Sequence, residues 1–264
     1  IDVQKPHHLE KVKRENFILD KYCTFEIPLG VVQNRLQIPL IALWYSFTDD
    51  PKIGIKISEG TSQENQYEVG VFSQTIAGNY CLDITSILTL FHTEIANPLI
   101  EFTGKFHITQ STIDLVNQMV KDKDSIIRQT RWRANVYDER NENIRHMMSQ
   151  NRYEQLYKNL EKISIWINKY CTNPEPVRSR LSIPSSEQEE YIGVLSESIY
   201  DSALLSKEKG YTLIIDDFAS RIYSLSTIKI KAISSSSLLR FCRNHSTTTH
   251  LRDNLNNAIL KLVK

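Results

Sequence analysis

The stretch "YTLIIDDF" runs an apolar segment, Tyr211 to Ile215, straight into two adjacent carboxylates, Asp216 and Asp217. The shorter run "YCLD" ends the same way, on Asp83, and Asp201 stands near the start of the helix-like "YDSALLSKEKG" that leads into the first stretch. Carboxylates gathered at one rim repel each other, so such a rim needs water, a shared proton or a divalent cation among them. Hard oxygen donors without soft ligands suit magnesium or manganese. An ion held there would grip a phosphodiester, activate a water and offset charge on the leaving oxygen. Each aspartate also has a plainer role. The helix dipole favours Asp in a first helical turn, and Asp is a common turn residue after a strand.

Several other chemistries are excluded. His245 and His250 are five residues apart, which does not place them on one helical face as zinc ligands. Cys23, Cys81, Cys171 and Cys242 form no CxxC pair and read as free, mostly buried thiols of a reducing compartment. There is no GxSxG elbow, and Cys81 has no placed His partner. GxGxxG and GxxxxGK[ST] are also absent, which removes the nucleotide-cofactor and P-loop readings.

The elements that would position the acids follow from hydrophobic spacing. "YCLDI", "KFHIT", "YTLII" and "TIKIKAIS" read as short strands. Between them lie helical stretches: "TSILTLFHTEI", "STIDLVNQMVKDKDSIIRQTRW" with Ser111 or Thr112 as N-cap, and a long amphipathic run with Leu156, Leu160, Ile163 and Ile167 in its apolar stripe. "RANVYDE" is a further extended candidate. Ser198 is the expected N-cap of the helix before "YTLII", and Gly210 its stop. Alternation of this kind implies an α/β fold with a mainly parallel sheet, in which functional groups collect at the carboxyl ends of the strands. Residues 1–76 read differently. After a helical start carrying Leu9, Val12, Phe17 and Leu19, the segments "CTFEIPLGVV", "KIGIKISEG" and "YEVGVF" suggest strands of a small mixed α+β subdomain, with "TSQENQ" as a hairpin connection. Residues 244–264 read as a terminal helix.

In order and spacing, "YCLDITSILTLF", "KFHITQSTIDLV" and "YDSALLSKEKGYTLIIDDFASR" resemble the PIN domain, a metal-dependent nuclease fold, and in particular the divergent PIN-like modules embedded in larger multidomain bacterial proteins. The resemblance implies a three-layer α/β/α PIN-like domain over 77–243, and an endoribonuclease-like activity dependent on Mg2+ or Mn2+ that cleaves phosphodiester bonds. It makes Asp83, Asp201 and Asp217 the catalytic metal ligands, adds Asp216 beside them, and gives Thr85 and Asp114 auxiliary places. Two positions depart from the family pattern. Leu115 stands where an acid is usual, with Asp114 one residue early and turned about 100° around a helix, and Ile215 stands where a hydroxyl is usual. The alternative is therefore a catalytically degenerate PIN-like domain acting as an interaction or nucleic-acid-binding module.

The bulk numbers fit either reading. With 264 residues, 41% hydrophobic and 24% charged, the chain has ample material for a core. A net charge of +1 supplies no global field for nucleic acid, so RNA binding needs a local patch. "RQTRWRANVYDER" offers one, with Arg128, Arg131, Arg133 and Arg140 around Trp132 and Tyr137. "RFCRNHSTTTHLR", with Arg240, Arg243 and Arg252, is a second basic stretch. A helix end packed on the core and a polar linker are the plainer readings of the two. No apolar run approaches the roughly 18 residues of a membrane span. The expected setting is a cytoplasmic fragment of a multidomain protein, with single-stranded RNA and the parent chain's other domains as partners and no membrane.

Overall fold

Buried on both faces, the apolar runs ahead of the aspartates pair as parallel strands. The computed structural model describes residues 5–48, 50, 52–74, 79–121 and 150–263. In it β1 (Tyr80–Leu82), β2 (Thr212–Ile214) and β3 (Ala232–Ile233) form a parallel sheet in that order. The register sets Cys81 against Leu213 and Leu82 against Ile214, and on the other side Ile214 against Ile233. All eight strand residues are buried, as a sheet covered by helices requires. "KFHIT" adds only Phe106 and His107. His107 bridges to Cys81 and Phe106 to Cys171, both in parallel sense. Across the sheet the order is thus Cys171, Phe106–His107, β1, β2, β3. Chain order reverses between β1 and β2, and in open α/β sheets this switch point is where ligand crevices open.

Crossover helices supply the reach that parallel strands need. Among the described residues, α5 (Ile84–His92), α6 (Ala96–Thr103), α7 (Gln110–Lys121) and α8 (Gln150–Tyr170) lie between β1 and the second half of the chain. The expected stripe of α8 is buried at Leu156, Leu160, Ile163 and Ile167. The helix α7 starts one residue before Ser111, and the Thr109 hydroxyl meets the Thr112 amide at 3.4 Å. "RANVYDE" and the rest of 122–149 lie outside the described residues. A 3-10 turn (Arg178–Ser182) and α9 (Ser185–Leu195) then lead into α10 (Glu197–Lys209). Gly210 ends α10 at φ 71°, as expected of a left-handed helix stop. The residue flanking the start of α10 is Ser196 rather than Ser198, and it makes no side-chain cap bond. After β2 come α11 (Phe218–Tyr223) and a π-helical turn (Ser224–Ile228), then after β3 α12 (Ser235–His245) and α13 (Thr249–Val263).

The expected strands before residue 77 are not formed among the described residues. This part folds as α1 (Lys5–Cys23), α2 (Leu29–Leu36), α3 (Leu40–Thr48) and α4 (Ser62–Gln74). In "CTFEIPLGVV", Pro28 sits at φ −66° as the residue flanking α2, a position that tolerates its missing amide hydrogen. "YEVGVF" lies inside α4, where Glu68, Val71 and Phe72 are buried at helical spacing while Val69 is 69% exposed. Tertiary packing overrides the local preference of β-branched residues here. "KIGIKISEG" begins in a turn, has no regular secondary structure after it and joins no sheet. These helices share one continuous apolar cluster with the sheet, from Ile18 and Tyr22 through Leu213 to Leu255 and Ala258. Cys81, Cys171 and Cys242 are buried, and all four cysteines are free thiols. Among the described residues no helix is long and apolar enough to cross a membrane.

Candidate functional site

Asp83 follows β1 and caps α5. Its Oδ1 accepts from the Ser86 amide at 2.8 Å, and its Oδ2 accepts from the Thr85 amide at 3.1 Å and the Thr85 hydroxyl at 2.7 Å. Such capping satisfies amides that the first helical turn leaves open. The side chain is fully buried, and burial pushes its pKa up to about 7 against the pull of those donors. Thr85 carries the contact onward, because its Oγ1 also accepts from the Asp216 amide at 3.0 Å.

Asp216 and Asp217 leave β2 in different directions. Asp216 Oδ1 accepts from the Ser235 amide at 2.7 Å, at the start of α12. Asp217 caps α11, with Oδ2 accepting from the Ser220 amide at 3.2 Å and from the Ser220 hydroxyl. That oxygen also accepts from the Leu29 amide of α2 at 2.9 Å. Both aspartates are fully buried, and burial raises both pKa values. Asp216 Oδ2 and Asp217 Oδ1 have no hydrogen-bond partner.

Asp201 sits in the second turn of α10. Arg180, from the 3-10 turn, donates through Nη1 to both of its oxygens at 2.9 and 3.0 Å, and through Nη2 to Glu197 at 2.8 Å. Gln188 steadies the arginine, accepting from its Nε at 3.1 Å and donating to its carbonyl at 3.0 Å. Burial raises the Asp201 pKa, and Ser111 and Arg180 hold it down. A cavity of about 410 Å³ opens beside this pair, and Asp114 and Leu115 of α7 line it together with Asp201. Asp114 therefore reaches the same cavity despite its register. It is exposed and accepts from Gln110 at 2.8 Å.

A divalent ion needs carboxylate oxygens converging on one point. Each oxygen of Asp83 already accepts from α5 or Thr85 and each of Asp201 from a guanidinium, while one oxygen each of Asp216 and Asp217 has no partner. Among the described residues, no group of three or more His, Cys, Asp or Glu is placed to hold a metal ion. As positioned, the expected ligands do not fit that group. Arg128, Arg131 and Arg133, together with Arg140, Trp132 and Tyr137, lie outside the described residues.

A buried ion cluster behind the aspartates carried no sequence signal that spacing would reveal. Arg221, 1% exposed, pairs with Glu64, approaches Glu68 at 3.4 Å and donates to the Ile215 carbonyl at 3.1 Å. Glu68 also accepts from the Ser234 amide at 3.0 Å and from the Ser237 hydroxyl. Glu64 and Glu68 are four apart and share a helical face, but Glu64 and Arg221 are separated by 157 positions.

A parallel sheet whose chain order reverses beside aspartates at the ends of β1 and β2 is an α/β arrangement consistent with the PIN class. The family described as "PIN domain associated with the TPR-GreAB-C-PIN system" matches residues 81–226, more than half of the chain. The chain belongs to this PIN family. No curated protein and no solved structure matches it.

Proposed function

We propose that this is a catalytically degenerate PIN-like domain serving as an interaction module within a larger, cytoplasmic, multidomain protein. One observation carries the reading. Each of the three expected ligands is already engaged by a protein group: Asp83 by the first turn of α5, Asp217 by α11 and the Leu29 amide, Asp201 by Arg180. A guanidinium delivers fixed positive charge to a carboxylate without the open coordination positions a reacting water would need. The family's association with a TPR-GreAB-C-PIN system supports a place among other domains.

A second reading, a Mg2+- or Mn2+-dependent endoribonuclease using Asp83, Asp201, Asp217 and Asp216 with Thr85 and Asp114 in support, rests on the partnerless oxygens of Asp216 and Asp217. In that reading Arg128, Arg131 and Arg133 would bind single-stranded RNA. One assay separates the two: incubation of single-stranded RNA with the chain and with Asp83→Asn across a manganese titration. The degenerate domain leaves the RNA intact in both. Metal-dependent cleavage by the unaltered chain, lost in Asp83→Asn, would establish the nuclease instead.

A further inference from the structure

The basic stretch "RFCRNHSTTTHLR" is mostly helix rather than linker: Arg240 to His245 close α12, and Thr249 to Arg252 open α13. It carries three arginines and two histidines without an acid. Arg240, His245, His250 and Arg252 are exposed, and Arg243 is half-buried. Arg243 donates through Nε and Nη2 to Asn244 Oδ1 at 3.1 and 3.0 Å, and Arg252 donates through Nη2 to the Ser246 carbonyl at 2.8 Å. Those acceptors are neutral, and among the described residues no carboxylate pairs with any of the three arginines. The dipole of α12 favours Arg243 and His245 in its last turn, but it does not account for Arg240 or Arg252. A run of ring contacts reaches the surface at the same place. Buried Phe72 of α4 stacks on half-buried Phe241, with centroids 4.6 Å apart and planes 5° apart. Phe102 of α6 meets Phe241 edge-on at 6.2 Å. The exposed His245 ring lies against Phe241 at 4.1 Å and 32°. Its Nδ1 stands 2.9 Å from the Phe241 carbonyl. A carbonyl only accepts, so Nδ1 donates and the ring is held in place.

We infer that the end of α12 is a binding site for single-stranded nucleic acid, with an unpaired base on the outer face of His245 and phosphates on the arginines. The two halves of the site ask for the two halves of a nucleotide. Guanidiniums without carboxylate partners attract phosphate, and an exposed ring braced from behind offers a base a platform. On the helix Arg240 and Arg243 lie roughly 140° and 160° around the axis from His245. The strand therefore crosses α12, about 10 Å wide with its side chains, and neighbouring nucleotides supply the base and the phosphates. This is a separate place from the aspartate rim. The first turn of α12 receives Asp216, and its last turn lies about 15 Å further along the axis, so the bound phosphates stay clear of those carboxylates. A duplex would hide its base faces, and an acidic peptide has no need of the ring. The inference goes beyond the reading of the aspartates, and the manganese assay decides that reading independently.

The test is fluorescence anisotropy of the full chain, without divalent metal. The probes are labelled thymidine and uridine oligomers and an abasic deoxyribose-phosphate oligomer of equal length. Saturable binding of either base-bearing oligomer, about tenfold tighter than the abasic one, supports the inference, and the tighter of the two names the strand as DNA or RNA. His245→Ala, at an exposed side chain, is expected to remove the advantage of the bases, and His245→Tyr to keep it. Arg240→Gln with Arg243→Gln is expected to reduce the slope of log affinity against log salt by about 1.4, the share of two phosphate contacts on a single strand. Arg178→Gln with Lys207→Gln, exposed cations on other elements, is expected to leave that slope unchanged. No binding, equal binding of base-bearing and abasic oligomers, or an advantage that survives His245→Ala would each overturn the inference. So would an equal change of slope in the two double variants, or a poly-glutamate peptide that binds as tightly as the better oligomer.

Discussion

Aspartates in this fold act through what surrounds them. Asp83 has three donors around it and still sits at about 7, because complete burial outweighs them. A carboxyl whose folded pKa lies above its ordinary 3.8 binds its proton more tightly in the folded state. Its contribution to stability is therefore full below 3.8 and is lost as the pH rises through about 7. Asp216 and Asp217 are shifted in the same direction by burial. Denaturant unfolding followed between pH 4 and 7 is thus expected to lose stability more gently in Asp83→Asn than in the unaltered chain. An unchanged slope would contradict the assignment. Arg221 gives a second prediction at this scale. Arg221→Met leaves buried Glu68 and half-buried Glu64 without their cation, which costs about 3–5 kcal/mol by analogy with other broken buried pairs, and urea unfolding measures it. A loss under about 1 kcal/mol would mean that the cluster is solvated.

Elements explain which parts of this arrangement are legible in the residues. The short apolar runs before Asp83 and Asp217 announce β1 and β2, and Gly210 announces the end of α10, because each rests on local chemistry that the chain carries with it. The helices before residue 77 stay hidden. Val69 and Val71 alternate as a strand would, yet what buries Glu68 and Val71 is Arg221 and the rest of the core, remote in sequence. Arg180 stays hidden for the same reason. Its meeting with Asp201, 21 residues on, depends on a 3-10 turn and on Gln188, neither of which has a spacing signature. Among the described glycines, Gly30 marks the one close approach between elements that a single residue type decides. It has ordinary helical backbone, so Gly30→Ala would help an isolated helix, but here the added methyl meets the 194–196 backbone. Relief requires α2 to move off the α9–α10 junction. The expected cost is about 1–3 kcal/mol in thermal or urea unfolding, and a gain in stability would contradict the packing described.

At the scale of the whole molecule, the residues before the family match are built into the carboxyl-end rim of the sheet. The Leu29 amide reaches Asp217, the Lys56 carbonyl accepts from the Phe218 amide at 2.7 Å, and Glu68 joins Arg221 to the start of α12. A chain beginning at residue 79 would strand Arg221 and expose the apolar surface that α2–α4 cover. Such a fragment is expected to lose cooperative unfolding by circular dichroism, whereas an independently folding PIN unit would keep it. The same construction engages the expected metal ligands with protein groups, and that engagement is the central claim. Its most direct test is the melting temperature of the full chain under millimolar manganese, since a ligand bound by the folded state alone must raise it. The account predicts no shift beyond that caused by equal ionic strength of a monovalent salt. A saturable rise that disappears in Asp83→Asn or Asp217→Asn would contradict it.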